Sequence, residues 1–263
     1  MASAIPAPTA SPPSPASPPA AAPAPPRSGS VEDRGATRHD SVRAERWSSR
    51  GGTKVLGDVD IGTGDLGGLS SIRGRVRGGT LSAQGTLLVG GSVELEALLS
   101  VDGSATFESP VRAARIELVG TISVSGDLVA TGSLRLRGSL EVSGRISAPR
   151  IELDGRIRAG GDLEAKELIG TLRGESRFPN LRADRIVLRR GGRFGPRGSL
   201  TVTSIEATDV ALEGVEAEYL RAERIDLGPG CQIARSDGTV SRVHPSSHIG
   251  PVSRSPRPYG LSR

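Results

Sequence analysis

From residue 120 to 149 the chain reads GTISVS, GDLVAT, GSLRLR, GSLEVS, GRISAP. Each of these five six-residue units opens on a glycine (Gly120, Gly126, Gly132, Gly138, Gly144) and carries an apolar pair two residues apart, such as Ile122/Val124 or Leu134/Leu136. Residues i and i+2 share one face of a strand, so each unit predicts a very short strand closed by a glycine. A meander of hairpins does not fit, because strands of about four residues are too short for a stable sheet. Ile146 and Ile151 are both apolar but an odd number of positions apart. In a continuous strand the second would face the other way, so the chain bends between them. Residues 199–228 repeat the pattern in five-residue units, with pairs such as Leu200/Val202, Val210/Leu212 and Ile225/Leu227.

A longer period organises the short one. Apolar-x-small patterns start at Val59, Val76, Val93, Val111, Leu128, Ile146, Leu163 and Leu181, with steps of 17, 17, 18, 17, 18, 17 and 18. Three sides fit such a coil. Past Leu181 the register loosens, with Leu200 and Val215 the next candidates. A fuller motif recurs every second coil: VRAARIEL from Val111, ISAPRIEL from Ile146, LRADRIVL from Leu181 and LRAERIDL from Leu220. The fold predicted is all-β, a three-sided parallel β-helix of about ten coils over residues 53–235, forming a rod roughly 45 to 50 Å long. Ala113, Ala130, Ala148, Ala165 and Ala183 are expected to fill one narrow inner column. Arg115, Gly132, Arg150, Glu167 and Arg185 are expected to line up outside, with Glu167 between two arginines.

Composition agrees with a thin core. Thirty-six Gly, three Phe, two Tyr and one Trp among 263 residues leave few aromatic anchors for an ordinary globule. Ten of the 19 prolines fall in residues 1–26, so residues 1–52 read as a disordered Pro/Ala/Ser-rich tail and 236–263 as a basic, flexible one. Neither a secretory leader nor a membrane-spanning run is visible, so a cytoplasmic location, with membrane association through the tails, is expected. The net charge of +5 is nearly all arginine and does not name a partner.

Candidate chemistry is sparse. His39, His244 and His248 lie outside the regular repeat, which removes the usual general base from the coils. Gly62, Gly64 and Gly67 satisfy G-x-G-x-x-G, but LSSIRGRV follows where a phosphate-binding helix is needed. Asp58, Asp60 and Asp65 are better explained as turn residues than as a calcium loop. The lone Cys231 reads as a small buried hydrophobe. Arg73, Arg75 and Arg77 are expected on one strand face, and Arg189, Arg190, Arg193 and Arg197 in one loop; both are candidate contacts for an anionic membrane or nucleic acid. PxxP registers in the N-terminal tail are candidate docking motifs for protein partners. Trp47 is a candidate to dock a partner or to cap the first coil. No catalytic residue, metal, cofactor or small-molecule substrate is expected.

The VRAARIEL/LRAERIDL motifs and glycine-spaced pairs such as GDLVATGSLRLRGSLEV, between flanking tails, resemble the bactofilins, a family of polymer-forming cytoskeletal proteins. The resemblance covers about residues 55–235, and the repeat region is longer than one usual bactofilin core. It implies a right-handed β-helix that stacks end to end into nonpolar, nucleotide-independent filaments and recruits partners through its tails. A solenoid end exposes strand edge and core, so Val55, Leu56, Val59 and Ile61 are the candidate polymerisation residues at one end. Leu220, Ile225, Leu227 and Ile233 are the candidates at the other. The alternative is a left-handed β-helix hexapeptide-repeat enzyme of the acyltransferase type, for which IDLGPGCQIA at 225–234 resembles one coil.

Overall fold

An inward pair on so short a strand can be buried only by the same pair from the next turn of the chain. The computed structural model, which describes residues 27–191 and 198–250, is built in this way. The strands are β1 (Ser28–His39), β2 (Val42–Val55), β3 (Val59–Ile72), β4 (Val76–Val89), β5 (Val93–Phe107), β6 (Val111–Val124), β7 (Leu128–Val142), β8 (Ile146–Ala159), β9 (Leu163–Leu172), β10 (Glu175–Arg190), β11 (Ser199–Leu212), β12 (Val215–Leu227), β13 (Gln232–Val243) and β14 (His248–Ile249). All 14 join one parallel sheet in chain order. They wind through about 13 turns, roughly 60 Å at ~4.8 Å per turn. The described residues contain no helix.

Most of these strands bend through a whole turn. In β6 the buried residues are Val111 and Ala113, then Ile116 and Leu118, then Ile122 and Val124. Three inward pairs make three sides, numbered here in that order. The side-one starts from Val59 to Leu181 stack directly, and Val42 joins them below. Ala113 lies on Ala130, Ala148 on Ala165, and Ala183 on Ala207 and Ala222. Nearer the N-terminus the same column holds Ala44, Ile61, Gly78 and Leu95.

The recurring glycines belong to two corners. Gly35, Gly51, Gly68, Gly85, Gly103, Gly120, Gly138 and Gly155 stack between sides two and three. At Gly51, φ is +130° and a Cβ would come within 2.6 Å of the Gly35 carbonyl oxygen, so only glycine fits where one corner carbonyl underlies the next. Gly126 and Gly144 occupy the corner between sides three and one, where the Gly144 N–H donates to the Gly126 carbonyl.

The two-coil sequence period is a charge rule. On side one the outward column runs Arg43, Asp60, Arg77, Glu94, Arg112, then Val129 and Ser147, then Glu164, Arg182, Glu206, Arg221 and Asp237. Arginines take the even strands and acids the odd ones. The column that opens side two continues as Arg150, Glu167, Arg185, Asp209 and Arg224. Stacked neighbours of opposite sign attract and like ones repel, so a motif carrying arginine at two fixed positions can recur only on alternate coils. Glu167 does lie between two arginines, 2.8 Å from Arg150 and 3.9 Å from Arg185. The residue above Arg115 is Ser133 rather than the expected Gly132, because β6 and β7 shift register between Ala113 and Arg115.

Three further expectations need correction. The register does not drift after Leu181. Leu181 stacks on Ile205 and then Leu220, whereas Leu200 and Val215 continue a side-three column from Ser176. The extra length lies between β10 and β11. Arg73, Arg75 and Arg77 do not share a strand face, because β3 ends at Ile72 and β4 begins at Val76. Arg75 turns instead to Asp58 and Arg77 to Glu94. Finally, the rod outruns the limits 53–235 at both ends: β1 and β2 occupy 28–55, and β13 and β14 reach Ile249. The first coil, β1, carries Asp33, Thr37 and His39 at inward positions, which conceals it from a search for apolar pairs.

Candidate assembly surfaces

A solenoid buries its own middle, so its distinctive surfaces are two ends and three flanks. The residues expected to form the ends do not reach them. Val55, Val59, Ile61, Leu220, Ile225, Leu227 and Ile233 are fully buried, and Leu56 is half-buried. Val55 lies between His39 and Ile72, and Leu227 between Leu212 and Val243. These residues are core, covered by coils that the boundaries had left out.

The N-terminal end is β1, whose inward side chains are mostly polar. Asp33 is buried and stacks on Ser49. Its Oδ2 accepts the indole N–H of Trp47 at 3.0 Å and lies 2.8 Å from His39 Nε2. A carboxylate only accepts, so Nε2 carries the proton. One column of side three runs Thr37, Thr53, Ser70, then Leu87, Ala105 and Ile122. Thr37 and Thr53 Oγ1 are 3.2 Å apart, and Ser49 bonds Thr53 as well. Ser70 Oγ is buried with no partner among the described residues, where this polar plug meets aliphatic core. Trp47 is the largest fully buried side chain and roofs that core. A polar layer of this kind disfavours contact with an apolar end of another chain.

The C-terminal end is the reverse. Val240 and Val243 continue the inner columns of Ile225 and Leu227 but remain 38% and 41% exposed. The short β14 pairs only with Gln232 and Ile233. The rest of β13 keeps an unpaired edge among the described residues. Beneath it, Cys231 Sγ donates to the Leu212 carbonyl at 3.2 Å, and the Cys231 N–H donates to Ser247 Oγ at 2.8 Å. Burial pushes this thiol above its ordinary pKa, which makes it a poor nucleophile.

The other sequence candidates fall into structural places. Asp58 accepts the main-chain N–H of Arg75 at 2.8 Å, which holds its carboxyl below the usual carboxylate range. Asp127 likewise accepts the main-chain N–H of Arg145 at 3.0 Å, so these acids tie one corner to the next. Asp60 pairs with Arg27 and Arg43. Gly62, Gly64 and Gly67 lie inside β3. His244 Nδ1 bonds Ser246, and the described residues contain no cluster of three metal-binding side chains. Arg190 is anchored by its N–H to Glu213 and by its guanidinium to the Gly198 carbonyl, while Arg193 and Arg197 lie outside the described residues, as do 1–26 with their PxxP registers.

Asp33, His39, Val240 and Val243 were not anticipated as end-forming residues. A signal for the first coils was present: VRAERW at 42–47 is another copy of VRAARI and LRAERI, with Trp47 in place of isoleucine, and β2 has the even parity the motif requires. No protein-family model, curated protein or solved structure matches the chain.

Proposed function

We propose that this protein is a structural scaffold whose rods join end to end into filaments without nucleotide, with the segments outside the rod recruiting partners inside the cell. The observation that carries this reading is the C-terminal coil, where Val240 and Val243 extend inner columns that nothing described caps. Completing the burial of each valine contributes on the order of 1 kcal/mol, and the free β13 edge offers main-chain hydrogen bonds in addition. The resemblance to bactofilins supports the same reading.

The two ends constrain how rods join. A head-to-tail joint sets valines against the layer holding Asp33 and His39, which leaves polar groups desolvated beside apolar ones. A two-fold C-to-C joint sets apolar surface on apolar surface. Continued growth then needs an N-to-N joint made by the β1 edges, so a filament of this kind alternates two unlike joints and has no polarity. Electron microscopy and sedimentation of the full chain without nucleotide test the proposal. Filaments are expected from the natural sequence, and particles no longer than two rods from Val243→Arg, with unchanged β-rich circular dichroism. Only single rods from the natural sequence at high concentration, or filaments unaffected by Val243→Arg, would overturn it.

A further inference from the structure

Side three differs from the other flanks. Its outward residues form two columns: Gly52, Leu69, Thr86, Ser104, Thr121, Ser139, and beside it Lys54, Ser71, Leu88, Thr106, Ser123, Glu141. Over the four strands β3 to β6 neither column carries a charge, whereas the outward column of side one runs Asp60, Arg77, Glu94 and Arg112 over the same strands. Leu69 is 61% exposed and Leu88 38%, the two large apolar groups open on this flank. The strip ends in opposite signs, with Lys54 on β2 and Glu141 on β7, and neither has an ion-pair partner among the described residues. Lys54 also stacks on Arg38, a like charge, so an acid from outside would relieve it.

We infer that side three is the surface on which a second copy of this chain lies, antiparallel and face to face. A two-fold axis between β4 and β5 in the plane of contact exchanges β2 with β7, β3 with β6 and β4 with β5. Each column then meets itself reversed. Lys54 faces Glu141 of the other rod and Glu141 faces Lys54, so both ends of the strip are neutralised by one operation. Between them Ser71 faces Ser123, Gly52 faces Ser139, Leu69 faces Thr121, and the two Leu88 side chains lie one strand spacing apart across the axis. Self-complementarity of this kind is what a two-fold interface requires. A parallel arrangement brings the two Lys54 to one level and the two Glu141 to another, with no opposite charge facing either, and is disfavoured by the same charges. The next positions outward, Arg38 and Arg158, are alike in sign and limit the contact to six coils; Arg158 is held back by Glu175 of its own rod at 3.4 Å.

The inference is independent of the end joints, and the test keeps them apart by using full-length chains carrying Val243→Arg. Within one rod Ser71 and Ser123 are three turns apart, about 14 Å, too far for a disulfide. Ser71→Cys/Ser123→Cys is expected to oxidise to a covalent dimer, and either single substitution to give no cross-linked species. Equal cross-linking by the single variants, or none by the pair, overturns the antiparallel register. Lys54→Glu is expected to lower the yield of dimer at least tenfold, and Lys54→Glu/Glu141→Lys to restore it. A failure of the reciprocal exchange to restore dimer also overturns the inference.

Discussion

The two ends of this rod solve the same problem in opposite ways. Both present the last layer of a stack whose interior is aliphatic. At the N-terminal end the layer is Asp33, Thr37 and His39, with hydrogen bonds to Trp47 and Thr53. The polar groups are satisfied within the layer, and a charge points inward where an incoming strand would need apolar contact. At the C-terminal end the layer includes Ile233, Val240 and Val243, and β14 covers only the first of these. One end is finished by chemistry and the other is left to be finished by contact. A repeat protein needs its termini to differ from its middle, and here they also differ from each other.

The largest effect is expected from breaking the finished end. Trp47→Ala removes the largest fully buried side chain and one of the two hydrogen bonds to Asp33, a loss of about 3 to 5 kcal/mol on comparison with aromatic-to-alanine changes in other cores. Solenoid stability is local, so the loss should be concentrated in β1 and β2. Hydrogen exchange is expected to lose protection over residues 28–55 while β6 to β8 keep theirs. Trp47→Phe keeps most of the volume but not the N–H, and should cost about 1 to 2 kcal/mol. Equal loss along the whole rod would show that β1 and β2 are not a separate cap.

How much of this was legible in the sequence depended on where the core is aliphatic. From β3 to β10 most inward residues are Val, Ile, Leu and Ala, the outer charges alternate, and periodicity alone located the coils, the alanine column and the arginines beside Glu167. The outer coils hid because Asp33, Thr37 and His39 occupy inward positions in SGSVEDRGATRH, which reads as a solvated segment. Only the stacking of Asp33 on Ser49 and its hydrogen bond to Trp47 reveal that these polar groups face in. The extra length before β11 hid for a different reason: spacing counts residues, and the residues between β10 and β11 add to the count without moving the column. The side-three strip could not be read at all, since Lys54 and Glu141 become ends of one strip only when the register is known.

A smaller effect tests whether the polar layer is what makes the N-to-N joint the weaker of the two. Asp33→Val on a Val243→Arg background makes the first coil apolar while the C-terminal end is blocked. In sedimentation velocity the variant is expected to form its two-rod particle at a lower concentration than the Val243→Arg parent, because the β1 edge is now apolar. Adding Arg to the new surface at Val31 should reverse the gain. If Asp33→Val dimerises no more tightly than its parent, the inward charge is not what distinguishes the ends, and the uncovered edge of β13 alone accounts for the difference.

The smallest effect uses the one thiol and the one indole, which mark the C-terminal and N-terminal ends respectively. Burial raises the Cys231 pKa, so the fold favours the neutral thiol. For a group whose folded value lies above its unfolded one, the stability is fully present below the unfolded value, 9.0 for a thiol. It is lost as pH rises through the raised folded value. As pH rises above 9.0 the C-terminal coils should therefore open progressively, reported by labelling of Cys231. Trp47 emission, reporting a layer that contains no thiol, should stay constant. Cys231→Ala should abolish the pH dependence of proteolysis near residues 228–250 without changing the N-terminal signal. At pH 8, labelling of the native chain should be at least tenfold slower than in urea, because the thiolate is disfavoured and β13 and β14 cover the sulfur. A rate equal to that of the unfolded chain would mean that the C-terminal coil opens freely. The apolar end would then be a frayed end rather than a formed surface for docking.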